Sequence, residues 1–212
     1  MKRTLILLIV LSLLAVPIDA KKMINQTTIL VSLIPGQRFD ISTAEDGVPF
    51  DLVGDGKKSP MAWPVDVENV GFLYYDEPVY GHTGKNLFGN INGRENGFKQ
   101  LGAMCDDSQV NKVNSPDSRI IGPPDGFINK EDHGCWKHLG VWRDLNRNGL
   151  KDPGELKTLD ELGIETLEFT YTANQRQEGD GNQIQRVARY FKKGDSQPYF
   201  MADYIAKVVE IK

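Results

Sequence analysis

The chain has 212 residues, of which 25 are basic and 29 acidic, giving a net charge of −4. This mildly acidic balance argues against nucleic acid or an anionic membrane surface as the main partner. The length allows one compact domain with a sizeable core, or two small ones sharing an interface.

Lys2-Arg3, the apolar run Leu5 to Val16 and the small-residue end at Ala20 read as a secretory leader over residues 1–20, with the mature chain starting near Lys21. The apolar run is too short to span a bilayer and no second candidate follows, so no integral span is expected after leader removal. Cleavage removes Lys2, Arg3 and Asp19 and leaves a net charge of −5. The implied location is secreted or periplasmic. An oxidising compartment then makes Cys105 and Cys135 a disulfide pair. Zinc is the alternative, since His133, Cys135 and His138 stand close together, but a second ligand pair is lacking.

Residues 21–96 read as a β-rich part. Ile29–Leu33, Val48–Phe50 and the aromatic run Gly71–Tyr75 are apolar stretches interrupted by Pro35-Gly36 and Gly47. Asn25-Gln-Thr27 is a glycosylation sequon, meaningful only in a eukaryotic source. Residues 97–163 read as a helical, metal-binding part. Phe98, Leu101 and Met104 recur at helical spacing, and Trp136, Leu139 and Trp142 do so less cleanly.

The segment Asp144-Leu-Asn146-Arg-Asn148-Gly149-Leu150-Lys-Asp152-Pro-Gly-Glu155 has the spacing of an EF-hand calcium loop. Oxygen-bearing side chains stand at loop positions 1, 3, 5, 9 and 12, with glycine at 6. A calcium ion takes six to eight hard oxygens, which Asp144, Asn146, Asn148, the Leu150 carbonyl, Asp152 and Glu155 can supply. A surface turn would account for the Asp, Asn and Gly, but not for the closing Glu155. Neutral amides at positions 3 and 5, with Arg147 and Lys151 inside the loop, predict a Kd in about the micromolar to millimolar range.

Such loops come in pairs, and Asp125-Gly126-Phe127-Ile128-Asn129 through Asp132 matches the second half of a partner. A second candidate metal set is therefore Asp106, Asp125, the Phe127 carbonyl, Asn129 and Asp132, with Asp106 or Asp107 replacing the missing first ligand. Pairing with the Asp144 loop is expected to outweigh metal binding as its role.

Thr158 to Glu161 forms a capping box before Gly163, which predicts a helix of a turn or two. Residues 164–212 close the chain with strands: Leu167–Thr172 alternates apolar and polar, and Ile184–Phe191 and Tyr199–Val209 flank a hairpin turn at Lys193-Gly194-Asp195. Gln175–Gln183 reads as an exposed polar loop. Arg176, Arg186, Arg189, Lys192 and Lys193 give this end a local basic excess, which usually means a solvated face.

The run Gly71–Asp76, then Asn86–Asn90, Asn96-Gly-Phe98, Asp125-Gly126, Val141–Asp144, Gly154-Glu155-Leu and Thr158–Ile164 resembles the EF-hand-like calcium-binding region of large secreted bacterial proteins of the haemolysin and RTX-adhesin type. The resemblance covers about residues 50 to 209 and implies secretion and calcium binding rather than catalysis. It also implies earlier ligand segments, from which this chain departs: Val53 replaces an acid between Asp51 and Asp55, and Asp76–Gly81 has lost two ligand positions.

The expected fold is α+β, with an EF-hand-like helix-loop-helix pair, stapled by Cys105 and Cys135, packed on antiparallel strands that end in a hairpin. The expected ligand is calcium, acting mainly on stability. No triad, GxSxG elbow or phosphate loop occurs around Ser32, Ser42, Ser59 or the three histidines. A secreted hydrolase with structural calcium is the alternative, for instance one acting on carbohydrate, and Trp63, Tyr74, Tyr75, Trp136 and Trp142 serve either a ligand platform or the core. No feature identifies a protein or glycan partner.

Overall fold

The computed structural model describes residues 26–36, 39–90, 94–105, 126–132, 134–177 and 183–208. The expected leader, Asn25, Asp106, Asp107, Asp125, His133 and the tip 178–182 of the expected polar loop lie outside these residues. Among the described residues eleven strands form: β1 Gln26–Ser32, β2 Val48–Phe50, β3 Ser59–Met61, β4 Val70–Tyr75, β5 Phe127–Asn129, β6 Leu139–Trp142, β7 Leu156–Thr158, β8 Ile164–Glu168, β9 Thr172–Gln177, β10 Gln183–Lys192 and β11 Tyr199–Ala206. Nine make one antiparallel sheet in the order β5-β8-β10-β11-β1-β4-β6-β7, with β9 pairing β10 beside β8, while β2 and β3 form a separate hairpin.

The sheet curls toward closure without completing it. A turn over residues 159–163 joins edge strand β7 directly to β8 at the other side, and Lys130 after β5 forms an ion pair with Asp160 after β7 at 3.1 Å. Such a surface ion pair contributes little energy, but it marks how nearly the curve closes.

Strand alternation sends side chains to two cores. Ile29, Val31, Leu73, Val141, Tyr190 and Met201 face the inner side, where they pack against Phe98 and Leu101 of helix α1, Gly97–Cys105. On the outer side, Leu30, Phe72, Tyr74, Trp142, Ala202 and Tyr204 are covered by residues 39–63, whose Ile41, Phe50, Met61 and Trp63 complete an aromatic core. The aromatic set serves the core: Trp63, Tyr74 and Trp142 are fully buried, Trp136 nearly so, and Tyr75 is partly buried against the inner core.

Helix α1 is placed at both ends. Asn96 Oδ1 accepts from the Lys99 N–H at 3.0 Å, an N-cap bond, and buried Asp203 on β11 accepts from the Gly97 N–H at 3.0 Å and from Arg186 at 3.0 Å. At its other end Cys105 is bonded to Cys135, 30 residues on, with Cα atoms 5.0 Å apart. Chain entropy gives such a closure about 3–4 kcal/mol. Cys135 is thereby committed, which removes the sulfur that the zinc alternative required.

The structure overturns the helix-loop-helix pair. Among the described residues α1 is the single α-helix, and it matches the Phe98, Leu101, Met104 spacing. Trp136–His138 is one 3-10 turn, and the chain then extends as β6, so Leu139 and Val141 go inward while Trp142 goes outward. Gly140 makes this possible, because a Cβ there would lie 2.6 Å from the Lys157 carbonyl of β7. The Thr158 capping box forms, with Glu161 Oε2 accepting from the Thr158 N–H at 2.8 Å and Thr158 Oγ1 from the Glu161 N–H at 3.2 Å. It caps a turn instead of a helix, because Gly163 at φ +67° redirects the chain into β8.

The C-terminal hairpin is present, with β10 and β11 joined through Lys193-Gly194. The alternating stretch from Leu167 supplies only the end of β8, and β9 begins at Thr172, extending strand structure into the first part of the expected polar loop.

Candidate metal centre

Strands β6 and β7 pair with Trp142 opposite Leu156, and one further bond, from the Arg143 N–H to the Glu155 carbonyl at 3.0 Å, closes the mouth of the loop Asp144–Glu155. The loop is therefore the long connection of a β-hairpin. Its internal bonds follow the alternate oxygens. Asp144 Oδ1 accepts from the Asn148 N–H at 3.0 Å and Oδ2 from the Gly149 N–H at 2.9 Å. Asn146 Oδ1 accepts from the Asn148 N–H at 3.1 Å, and Asn148 Oδ1 from the Leu150 N–H at 2.7 Å. Short polar side chains that bind main-chain donors a few residues ahead curl the backbone around its own oxygens.

Glu155 returns to the start of the loop. Its Oε1 accepts from the Leu145 N–H at 2.9 Å, and its Oε2 from the Asp152 N–H at 3.1 Å and the Trp142 indole at 3.4 Å. Asp144 and Glu155 are 2% and 3% exposed. Burial pushes the Asp144 carboxyl above its ordinary range against the opposing Gly149 and Asn148 N–H bonds, and the Glu155 charge adds to the rise. First and last acids therefore share one interior. Asp152 sits at the rim, where the amide groups of Asn146 and Asn148 donate to its Oδ2 at 2.7 and 2.8 Å and hold its carboxyl below the usual range. Leu150 exposes its side chain, leaving only its carbonyl as a donor candidate. Among the described residues no three His, Cys, Asp or Glu side chains gather as a ready cluster. The loop instead mixes two interior carboxylates, a peripheral one and amide oxygens.

Both cations inside the loop turn away from its oxygens. Arg147, in the left-handed region at φ +57°, donates to the Pro64 carbonyl at 3.1 Å and the Asp46 carbonyl at 2.9 Å. Lys151 pairs with Asp76 and lies over the Tyr74 ring, 5.3 Å from its centroid. Gly149, at φ +67°, sits so close to β2 that a Cβ would come within 2.7 Å of the Pro49 carbonyl and 2.9 Å of Val48 Cγ1. Behind Glu155, the Trp142 ring meets His82 edge-on at 4.5 Å between centroids, and His82 Nδ1 lies 3.1 Å from the Tyr74 hydroxyl. Burial, and next the Lys151 ammonium, lower the His82 pKa to about 4. Sequence reasoning missed His82 and Arg147 as neighbours that support the loop; Trp142, two residues before Asp144, carried the only local signal.

The expected partner loop is not a partner. Phe127–Asn129 is strand β5, and it pairs with β8 through Phe127↔Glu168, Ile128↔Leu167 and Asn129↔Thr166, at the sheet end away from β6. Asn129 Oδ1 accepts from the Glu131 N–H at 2.7 Å, and Asp132 Oδ2 from the Asn129 N–H at 2.8 Å. These two side chains thus close the turn that leads to Cys135. The remaining members of that set, Asp106 and Asp125, fall outside the described residues.

Asp51 makes a turn of related design, its carboxylate accepting from the N–H groups of Gly54 at 2.7 Å, Asp55 at 3.1 Å and Gly56 at 2.9 Å. Asp55 itself accepts from the Lys57 N–H at 2.9 Å. The basic excess near the last hairpin is largely paired: Arg186 with Asp203 and Glu95, Arg189 with Glu168 through two bonds, and Lys192 with the Leu33 carbonyl. No helix among the described residues is long and apolar enough to cross a membrane.

Residues 123–206, which include β5 to β11 and the Asp144 loop, match the SPM domain family, a match over less than half of the chain. Among curated proteins, a 68-residue stretch is 38% identical to the iron-regulated protein FrpA of Neisseria meningitidis serogroup C. That stretch is 32% of this chain and only 6% of the relative, so the chain is similar to a small part of a far longer protein.

Proposed function

We propose that the protein is a secreted calcium-binding module in which the ion, held by the loop Asp144–Glu155, stabilises the fold. The observation that carries this reading is the convergence of Asp144 and Glu155, both buried, at the two ends of a loop whose main chain is already curled. Two carboxylates in one interior repel each other, and a divalent cation relieves that cost. The donor chemistry fits: hard oxygens from Asp144, Glu155, Asp152, Asn146, Asn148 and the Leu150 carbonyl suit calcium, whereas a zinc site would call for nitrogen and sulfur. Asn146 and Asn148 take part by turning their amides so that oxygen, rather than the N–H groups now directed at Asp152, points inward. The leader-like start, the disulfide and the resemblance to haemolysin-type calcium-binding regions support the extracellular setting.

An ion that binds only the folded chain adds RT ln(1 + [L]/Kd), about 1.4 kcal/mol when calcium is tenfold above Kd. Calorimetric titration of the mature protein is expected to show one calcium site with a Kd of about micromolar to millimolar, absent in Asp144→Ala. A flat titration of a folded wild-type protein would end the proposal.

A further inference from the structure

The Asp144 loop grips the segment that covers the aromatic face of the sheet. Residues 39–63 fold over that face as the β2–β3 hairpin and its flanks. On the β3 side they are held by the sheet itself: Tyr204 donates to the Ala62 carbonyl at 2.6 Å, Ala62 N–H donates to the Lys207 carbonyl at 3.1 Å, and Met61 bridges to Val208. On the β2 side the holdfasts come from the loop. Arg147 donates to the Asp46 carbonyl just before β2 and to the Pro64 carbonyl just after β3, and the Gly149 backbone lies on Val48 and Pro49 of β2. Beneath them, Phe50 packs against Trp142, whose indole reaches Glu155.

We infer that calcium in this loop clamps strand β2 and the turn before it onto the sheet, with Arg147 as the clasp, so that losing the ion frees β2 and uncovers the aromatic face around Phe50 and Trp142. The inference rests on the calcium reading and adds a regulated element to it. The loop backbone sets the path: Arg147 holds a left-handed conformation between Asn146 and Asn148, two proposed ligands, so the curl that gathers oxygens also aims the guanidinium outward. Linkage makes the effect reciprocal, since a clamped β2 raises calcium affinity by the factor by which calcium stabilises β2.

Hydrogen exchange of the full mature chain, with calcium and with EGTA, tests this, and terbium luminescence excited through tryptophan reports loop occupancy separately. Calcium is expected to slow exchange in residues 44–52 roughly tenfold or more, while residues 199–206 at the sheet centre change little. Arg147→Gly removes the clasp and suits the positive φ, so the chain keeps its fold. That variant should still sensitise terbium, with protection of 44–52 reduced toward none and the calcium Kd raised by no more than the lost factor. If calcium protects 144–155 and sensitises terbium but leaves 44–52 unchanged, or if Arg147→Gly keeps the full protection, the clamp is overturned and the calcium site stands. If terbium and calcium leave every region unchanged, the clamp and the calcium reading fall together.

Discussion

Asp51 and Asp144 begin two turns by one device, yet only one of the turns closes. Each buried carboxylate accepts from main-chain N–H groups three to five residues ahead and bends the chain around itself. After Asp144 the chain continues through alternate oxygens to Glu155, which folds back onto the Leu145 N–H. The Asp51 turn has Val53 at the second oxygen position and no returning acid, and its donors are satisfied within a few residues. An aspartate that curls a backbone thus makes a turn, whereas a second acid returning to the same interior brings two buried carboxylates together.

The sharpest test of that contrast removes each aspartate. Asp144→Ala and Asp51→Ala both strand buried N–H donors, and each is expected to cost about 2–4 kcal/mol in urea unfolding. Only Asp144→Ala should also abolish terbium luminescence; equal metal responses would erase the distinction. Glu155→Gln is nearly isosteric and keeps an acceptor oxygen, so its loss in EGTA should be smaller, about 1–2 kcal/mol. Its decisive mark is a thermal midpoint that no longer responds to calcium.

Acid tests the packing behind Glu155. His82 has a pKa of about 4 in the folded chain against an ordinary 6.5, so between those values the unfolded chain takes up a proton that the folded chain refuses. Stability contributed by the neutral ring is complete above pH 6.5, is lost as pH falls toward 4, and changes no further below that. Because the ring is partly solvated, the loss should be on the order of 1–2 kcal/mol. Comparing wild type with His82→Asn at pH 7 and pH 5 isolates it; parallel profiles would refute the assignment. The smallest effect is expected from Val53→Asp, which restores an acid to the Asp51 turn without a closing residue. Calcium stoichiometry should remain at one, and a second site would show that closure is dispensable.

The curl of the Asp144 loop was legible because its chemistry is local: twelve consecutive residues carry the side-chain oxygens, the glycine and the closing acid. Several strands were legible too, through apolar runs at Ile29, Gly71, Ile184 and Tyr199 with turn residues between them. The flanking helices were misread for a physical reason. Trp136, Leu139 and Trp142 show a spacing of three, but a 3-10 turn followed by a strand yields the same apolar positions, and the deciding contact, Gly140 against Lys157, is made by a strand beyond the loop. Likewise, Phe127 and Asn129 fit half a ligand pattern, while their true partner, β8, lies some forty residues on. His82 and Arg147 carried no local sign, since their roles come from Trp142 packing and from carbonyls of a distant hairpin.

Strand β1 sits at the middle of the sheet between β4 and β11, and six of its residues pair with the strand spanning Tyr199–Ala206. During synthesis, one whole edge of β1 must wait until some 170 further residues have been made, and contacts of such long sequence separation form slowly. Until then the apolar residues Ile29 to Val31 lack their main cover. The centre of the sheet is therefore completed late, after most of its other strands have already been made.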